Sequence, residues 1–307
     1  MKNYRILKCL FGLFYWLCCS DHSTYALSFQ IPDPNTQIVG DLEWVQTIPN
    51  DNFNTLSRRY GVGYYEIMEA NPGIDSMHLE PGTIIVLPTR FILPPGPRKG
   101  LVINLAELRL YSYAADKVYT YPIGIGREAW DTPLGYSRVI AKLKNPTWHV
   151  PRSIQEASRK DGIIIPSKVL PGPDNPLGPY ALRLHYHNYL IHGTNEVEGV
   201  GRRSTAGCIR MFPEDIKVLF EQVSIGTSVN IIDQPYKAGK DHNGLLYLEA
   251  HLPLELKDPD SQEVLKTVKR IILAQNSEKR KIDENSVKKI ITQTLGIPQK
   301  IEVSKSL

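Results

Sequence analysis
The chain is 307 residues long, 42% hydrophobic and 22% charged. That is long enough for about two domains with real cores and far from the composition of a disordered chain. The formal charge of +4 is spread without a long basic block or basic–aromatic interleaving, so nucleic acid is excluded as a partner. Of four cysteines, Cys9, Cys18 and Cys19 lie in the first nineteen residues and only Cys208 lies beyond them.

Lys2, Arg5 and Lys8 precede an apolar run from Cys9 to Cys19, followed by polar residues and the small-residue pair Thr24 and Ala26. This predicts a secretory signal peptide over 1–26, since the run is well short of the ~20 apolar residues that span a membrane. Its removal brings the formal charge from +4 to +2 and leaves one cysteine, which has no disulfide partner within the chain. In an oxidising compartment such a thiol is a buried small hydrophobe or a working nucleophile.

Residues 38–90 read strand, helix, helix, strand. Trp44, Val45 and Ile48 open the block, Asp51 or Asn52 caps a helix ended by Gly61, and a second helix stops at Asn71-Pro72-Gly73. Pro81-Gly82 then turns the chain into a strand over Thr83–Leu87. "FNTLSRRYGVGYYEIMEANPGI" followed by "LEPGTIIVLP" resembles the lysin-motif (LysM) module, although Pro49–Asn52 replaces the usual Gly-Asp opening. The resemblance implies a small α+β unit that binds peptidoglycan glycan.

The Pro-rich stretch 91–100 separates this block from a strand-rich one over 98–233. Strands are expected at Val102–Tyr113, Val118–Ile125, Ser137–Leu143, Ala181–Tyr186, Tyr189–Ile191 and Ser228–Ile232, with one good helix, Glu214–Val223. The predicted fold is mainly β, an antiparallel sandwich or barrel-like domain. A second linker is read at 234–244. Residues 237–307 form a small α+β appendage, with a strand at Leu245–Leu252 and two amphipathic stretches through Val264–Ile272 and Val287–Leu295. Asp260 and Ser261 are the expected caps of the first of these.

Within the middle block, IHGTN (191–195) precedes STAGCIRM (204–211). A thiol with a pKa near ~8.5 needs a base to become a nucleophile at neutral pH, and His192 is a candidate. Gly193 leaves the backbone free to turn its carbonyl onto the imidazole, in place of the usual Asp or Asn orienter. Gly207 permits close backbone approach, and N–H groups of Ala206, Gly207 and Cys208 are candidates for an oxyanion site. Arg210 adds positive charge beside the thiol. His185 and His187 alternate on one strand face but have no third ligand nearby, so no metal site is assigned. Trp148 is a candidate for a groove wall or for the core.

HGTN…STAGCIRM resembles the L,D-transpeptidase (YkuD-type) signature, His-Gly-Thr followed by Ser/Thr-x-Gly-Cys-x-Arg. "GIGREAWDTPLGY", "NPTWHVPRSI" and "PGPDNPLGPYALRL" extend the likeness. It implies Cys208 as nucleophile, His192 as proton donor and acceptor with the Gly193 carbonyl as orienter, and Thr194, Thr205 and Arg210 at the substrate. Ala206 departs from the family, many members of which have His there. The implied reaction attacks a tetrapeptide stem of peptidoglycan, releases D-Ala and passes the acyl group to an amine. That amine belongs to another stem in a 3→3 cross-link, or to the Lys of an outer-membrane lipoprotein. Water as acceptor makes an L,D-carboxypeptidase; an inactive domain leaves a peptidoglycan-binding protein. No metal or cofactor is implied, and the expected compartment is the periplasm. Papain-like amidases place Cys before His, and sortases separate His from Cys by far more residues, so both fit less well.

Overall fold
The computed structural model describes residues 26–127, 130, 132–160, 162–186, 189–254, 262–278 and 280–302. The predicted signal peptide up to residue 25, His187, and the expected caps Asp260 and Ser261 lie outside the described residues.

A nine-stranded sheet organises the middle of the chain. Its spatial order is Leu27–Gln30, Lys117–Pro122, Arg109–Ala114, Gly100–Asn104, Ser228–Ile232, Gly135–Lys144, Tyr180–Leu184, Leu190–His192 and Ile209–Arg210. Neighbours are antiparallel except at two joints. Ser228–Ile232 runs parallel to Gly100–Asn104, and Ile209–Arg210 runs parallel to Leu190–His192. The sheet curls back on itself, because Gly124 and Arg210 exchange N–H···O bonds of 2.8 Å in both directions. This ties the last strand to the chain that leaves the second. The mainly β expectation holds, with parallel joints added to it.

The predicted run Val102–Tyr113 is two strands. They are parted at Ala106–Leu108, where Leu108 takes a φ of 55° and Asn104 bonds the Glu107 carboxylate. Two helices, α1 (Phe53–Tyr60) and α2 (Tyr64–Ala70), lie ahead of the sheet. In α1 the Asn52 carboxamide accepts from the Thr55 N–H at 3.0 Å while the Thr55 hydroxyl accepts from the Asn52 N–H at 2.9 Å. Gly61 closes the helix at φ 63°, a left-handed geometry that costs glycine little. Both helices pack on the antiparallel pair Glu43–Gln46 and Ile84–Leu87 around Phe53, Leu56, Ile67 and Ile85.

The helix α3 (Arg152–Lys160) is absent from the sequence reading. It has no buried residue and only one large aliphatic residue, Ile154, so it has no apolar stripe to detect. The expected helix Glu214–Val223 forms as α4 (Pro213–Gln222), laying Ile216 and Leu219 into the sheet's core. Helices α5 (Gln262–Gln275) and α6 (Glu284–Gln293) cover a three-stranded sheet, Tyr236–Lys240, Leu246–Ala250 and Gln299–Lys300.

Its first strand corrects the second linker: residues 236–240 are not a connection but a buried strand of the C-terminal unit. Pro235, Gly239 and Gly244 made the stretch read as a connection; Lys237 lies inside it. Its ammonium is 1% exposed and sits 2.8 Å from both Glu107 and Glu249. Glu249 in turn contacts His251 at 2.9 Å, and His251 contacts Glu69 of α2 at 3.0 Å. All three packing units meet at this buried hub.

Candidate active site
The parallel joint between Leu190–His192 and Ile209–Arg210 builds the site. Ile191 faces Ile209 and His192 faces Arg210 across it. Side chains alternate along a strand, so the buried Ile191 and Ile209 fill the core, while His192 and Arg210 share the opposite face. Cys208 lies two positions before Arg210, and its sulfur takes a backbone hydrogen bond at Leu190, two positions before His192. The structure therefore brings His192 and Arg210 together across two adjacent strands, with Cys208 at the start of the second.

The His192 ring is buried, and its Nδ1 lies 2.6 Å from the Gly193 carbonyl. A carbonyl only accepts, so Nδ1 carries the proton and Nε2 presents a lone pair. Burial pushes the imidazole down to about 4, with a further push from the Arg210 charge, against an opposing pull from the Gly193 bond. Burial raises the Cys208 thiol, opposed by the bond at Leu190. Both partners therefore rest neutral at neutral pH, as thiol and free base. Arg210 is held by Glu196, with Nη1 to Oε2 at 3.2 Å, and Gly199 packs where a Cβ would collide with the guanidinium.

The loop before Cys208 is fixed by its carbonyls. Arg127 N–H donates to the Thr205 carbonyl at 3.0 Å, the Thr132 hydroxyl to the Gly207 carbonyl at 2.9 Å, and the Thr205 hydroxyl to the Cys208 carbonyl at 2.6 Å. In a planar trans peptide the C=O and the next N–H point in opposite directions. Holding the Thr205 and Gly207 carbonyls thus turns the Ala206 and Cys208 N–H groups away from those donors. Gly207 sits at φ 98°, where a side chain would be strained.

Thr205 and Thr194 are both buried. The Thr205 hydroxyl closes the loop at Cys208, and the Thr194 hydroxyl accepts from the Glu196 N–H at 2.8 Å. Trp148 pairs with Val169 on the two-stranded ribbon that flanks α3 and is half-buried. His185 is exposed. Thr132, Arg127 and Glu196 are the site-shaping residues that the sequence reading leaves out. The first two lie in the GIGREAWDTPLGY stretch, whose likeness was visible while its contact with the cysteine loop was not.

Among the described residues, Glu107, Glu249 and His251 place ligand atoms within 4.8 Å of one another, in the manner of a metal cage. The Lys237 ammonium lies between the two carboxylates, so a cation already fills that position. The cage belongs to the hub rather than to the Cys208 site.

The YkuD family, the L,D-transpeptidase catalytic domain, matches residues 98–231, and the LysM domain matches 47–88. The chain is 40% identical to the probable L,D-transpeptidase YcfS of Escherichia coli K12, over 78% of this chain and 77% of that protein. The chain belongs to the L,D-transpeptidase family. It is also 38% identical to two further E. coli K12 proteins, the probable L,D-transpeptidases ErfK/SrfK and YbiS. These matches cover 83% and 84% of this chain and 82% and 87% of those proteins. Every residue of the His192–Cys208–Arg210 cluster falls inside the matched catalytic domain of this L,D-transpeptidase, and both α1 and α2 fall inside its LysM domain.

Proposed function
We propose that this L,D-transpeptidase works through a thioester on Cys208 and acts on tetrapeptide stems of peptidoglycan. The observation that carries the reading is the 2.6 Å contact between His192 Nδ1 and the Gly193 carbonyl. With Nδ1–H given to the Gly193 carbonyl, Nε2 is left as the free base. The thiol proton passes to Nε2 as sulfur attacks the carbonyl of the third stem residue. The N–H groups of Ala206 and Cys208, with Gly207 between them, hold the oxyanion. Collapse breaks the peptide C–N bond, His192 returns the proton to the departing D-Ala amine, and a thioester remains. An acceptor amine then attacks the thioester, loses its proton to His192 and frees the thiol.

The acceptor in this reading is the side-chain amine of a second stem or the Lys amine of an outer-membrane lipoprotein. Arg210, with Thr205 and Thr194 behind it, shapes the substrate side. The units 38–90, 98–233 and 237–307 serve as glycan-binding module, catalytic domain and appendage. Export by the segment ending near Ala26 places the enzyme in the periplasm. No described helix is long and apolar enough to cross a membrane.

The test is incubation with disaccharide-tetrapeptide, with and without a Lys-terminated acceptor peptide, followed by mass spectrometry. Expected are D-Ala release, a Cys208-linked stem, transfer to the acceptor, and loss of all three in Cys208→Ser and His192→Gln. D-Ala release that persists in Cys208→Ser, or release with no transfer to any amine, overturns the reading. A carbapenem adduct mapped to Cys208 is the corresponding inhibitor result.

A further inference from the structure
The loop between His192 and Cys208 is held from two sides. On one, Arg203 and Thr205 run parallel to Ile125 and Gly126, and the Ile125 N–H donates to the Arg202 carbonyl at 3.0 Å. On the other, the loop meets the α1–α2 corner of the LysM domain. The Gly201 carbonyl accepts from the Tyr65 N–H at 3.2 Å. The Arg202 guanidinium carbon stands 3.3 Å from the centroid of the Tyr64 ring, and its Nη2 donates to the Asn54 carboxamide at 3.0 Å. Arg202 Nε is buried with no hydrogen-bond partner among the described residues, as suits a guanidinium engaged by its face with a ring.

The approach is close enough to restrict sequence. Gly201 has φ 73°, and a Cβ there would lie 2.3 Å from the Tyr64 nitrogen. The corner is itself anchored, because Glu66 of α2 forms a buried two-pronged pair with Arg109 of the catalytic sheet, both N···O distances 2.6 Å. Three residues beyond Arg202, the Thr205 hydroxyl holds the carbonyl of Cys208.

We propose that Arg202 is a positioning residue through which the LysM domain sets the conformation of the Cys208 loop. The module then contributes to turnover itself and not only to attachment to the wall. The proposal rests on Cys208 being the nucleophile. Arg202 acts at a distance: its stack on Tyr64 fixes residues 201–203, the pairing with Ile125 and Gly126 carries that register to Thr205, and Thr205 orients the Cys208 peptide.

The test uses the full chain and a soluble disaccharide-tetrapeptide, so that grip on polymeric glycan plays no part in the rate. Arg202→Ala is expected to lower kcat about tenfold, as misplacement of a reacting group does. KM should stay within about twofold and co-sedimentation with insoluble peptidoglycan should not change, since the substrate side is untouched. Arg202→Lys recovers only part of kcat, because an ammonium keeps the charge without the planar stack. Asn54→Ala, a milder change from the module's side, lowers kcat about two- to fivefold, the worth of one hydrogen bond. It gives the same answer if Arg202→Ala does not fold. Wild-type kcat in folded Arg202→Ala or in Asn54→Ala overturns the proposal while leaving the nucleophile in place. Absence of a Cys208 adduct in the wild-type protein overturns the reading beneath it.

Discussion

At the scale of single residues, burial keeps the imidazole of His192 neutral. His192 has its proton on Nδ1 and its affinity for a second one pushed down to about 4 by burial and the Arg210 charge. In the proposed thioester mechanism the active form is therefore the unprotonated imidazole with an un-ionised thiol. Acylation of Cys208 should follow an acid limb with a midpoint near 4 and stay level through neutral pH, which a pH profile of kcat/KM for the free enzyme measures directly. Arg210→Gln should move that limb to higher pH, because it takes away one of the two influences that push the imidazole down. A limb that stays near 6.5 in the wild-type enzyme would contradict the buried, Arg210-facing placement of the ring.

At the scale of elements, the sixteen-residue interval between His192 and Cys208 has a geometric cause. The strands that carry them are parallel, and parallel neighbours need a crossover of about a dozen residues or more. That crossover is the loop 193–207, pinned by Arg127, Thr132 and Thr205 at its end. Thr132→Val takes the donor from the Gly207 carbonyl and should lower kcat about tenfold with little change in KM. Stability should fall by about 1 kcal/mol, the net worth of one hydrogen bond, as measured by thermal melting. Thr132→Ser, which keeps the hydroxyl, should restore most of the rate. An unchanged kcat in Thr132→Val would mean that the Gly207 peptide is held by other contacts.

At the scale of the whole molecule, the three units are locked by the Lys237–Glu107–Glu249–His251–Glu69 hub. Lys237→Met leaves Glu107 buried without its cation and Glu249 with His251 alone, a change that costs about 3–5 kcal/mol in comparable sites, and chemical denaturation should register it. His251 is raised to about 10 by its bonds to Glu249 and Glu69, which outweigh burial. The native state therefore keeps a proton that the unfolded chain, at 6.5, has lost. The resulting stabilisation is complete below about 6.5 and fades as pH climbs towards 10. Comparing wild type with His251→Gln isolates it, and the difference in melting temperature should shrink over that window.

Helices α1, α2, α4, α5 and α6, the strand alternation and the His192–Cys208–Arg210 motif were legible in the sequence. They follow from local rules: caps at Asn52 and Gly61, apolar spacing at Val264–Ile272, and residue types that belong to one chemistry. What local rules cannot carry is pairing between distant segments. Lys237 looked like a linker residue because nothing near it in sequence shows Glu107 and Glu249, 130 residues before it and 12 after. Helix α3 was invisible because it buries nothing. The chain by itself determined the His-Gly-Thr and Cys-x-Arg motif that marks the L,D-transpeptidase family. Only tertiary structure decided the burial of His192, the donors that hold the cysteine loop, and the seat of the LysM corner against Arg202, because each depends on contacts between segments far apart in sequence.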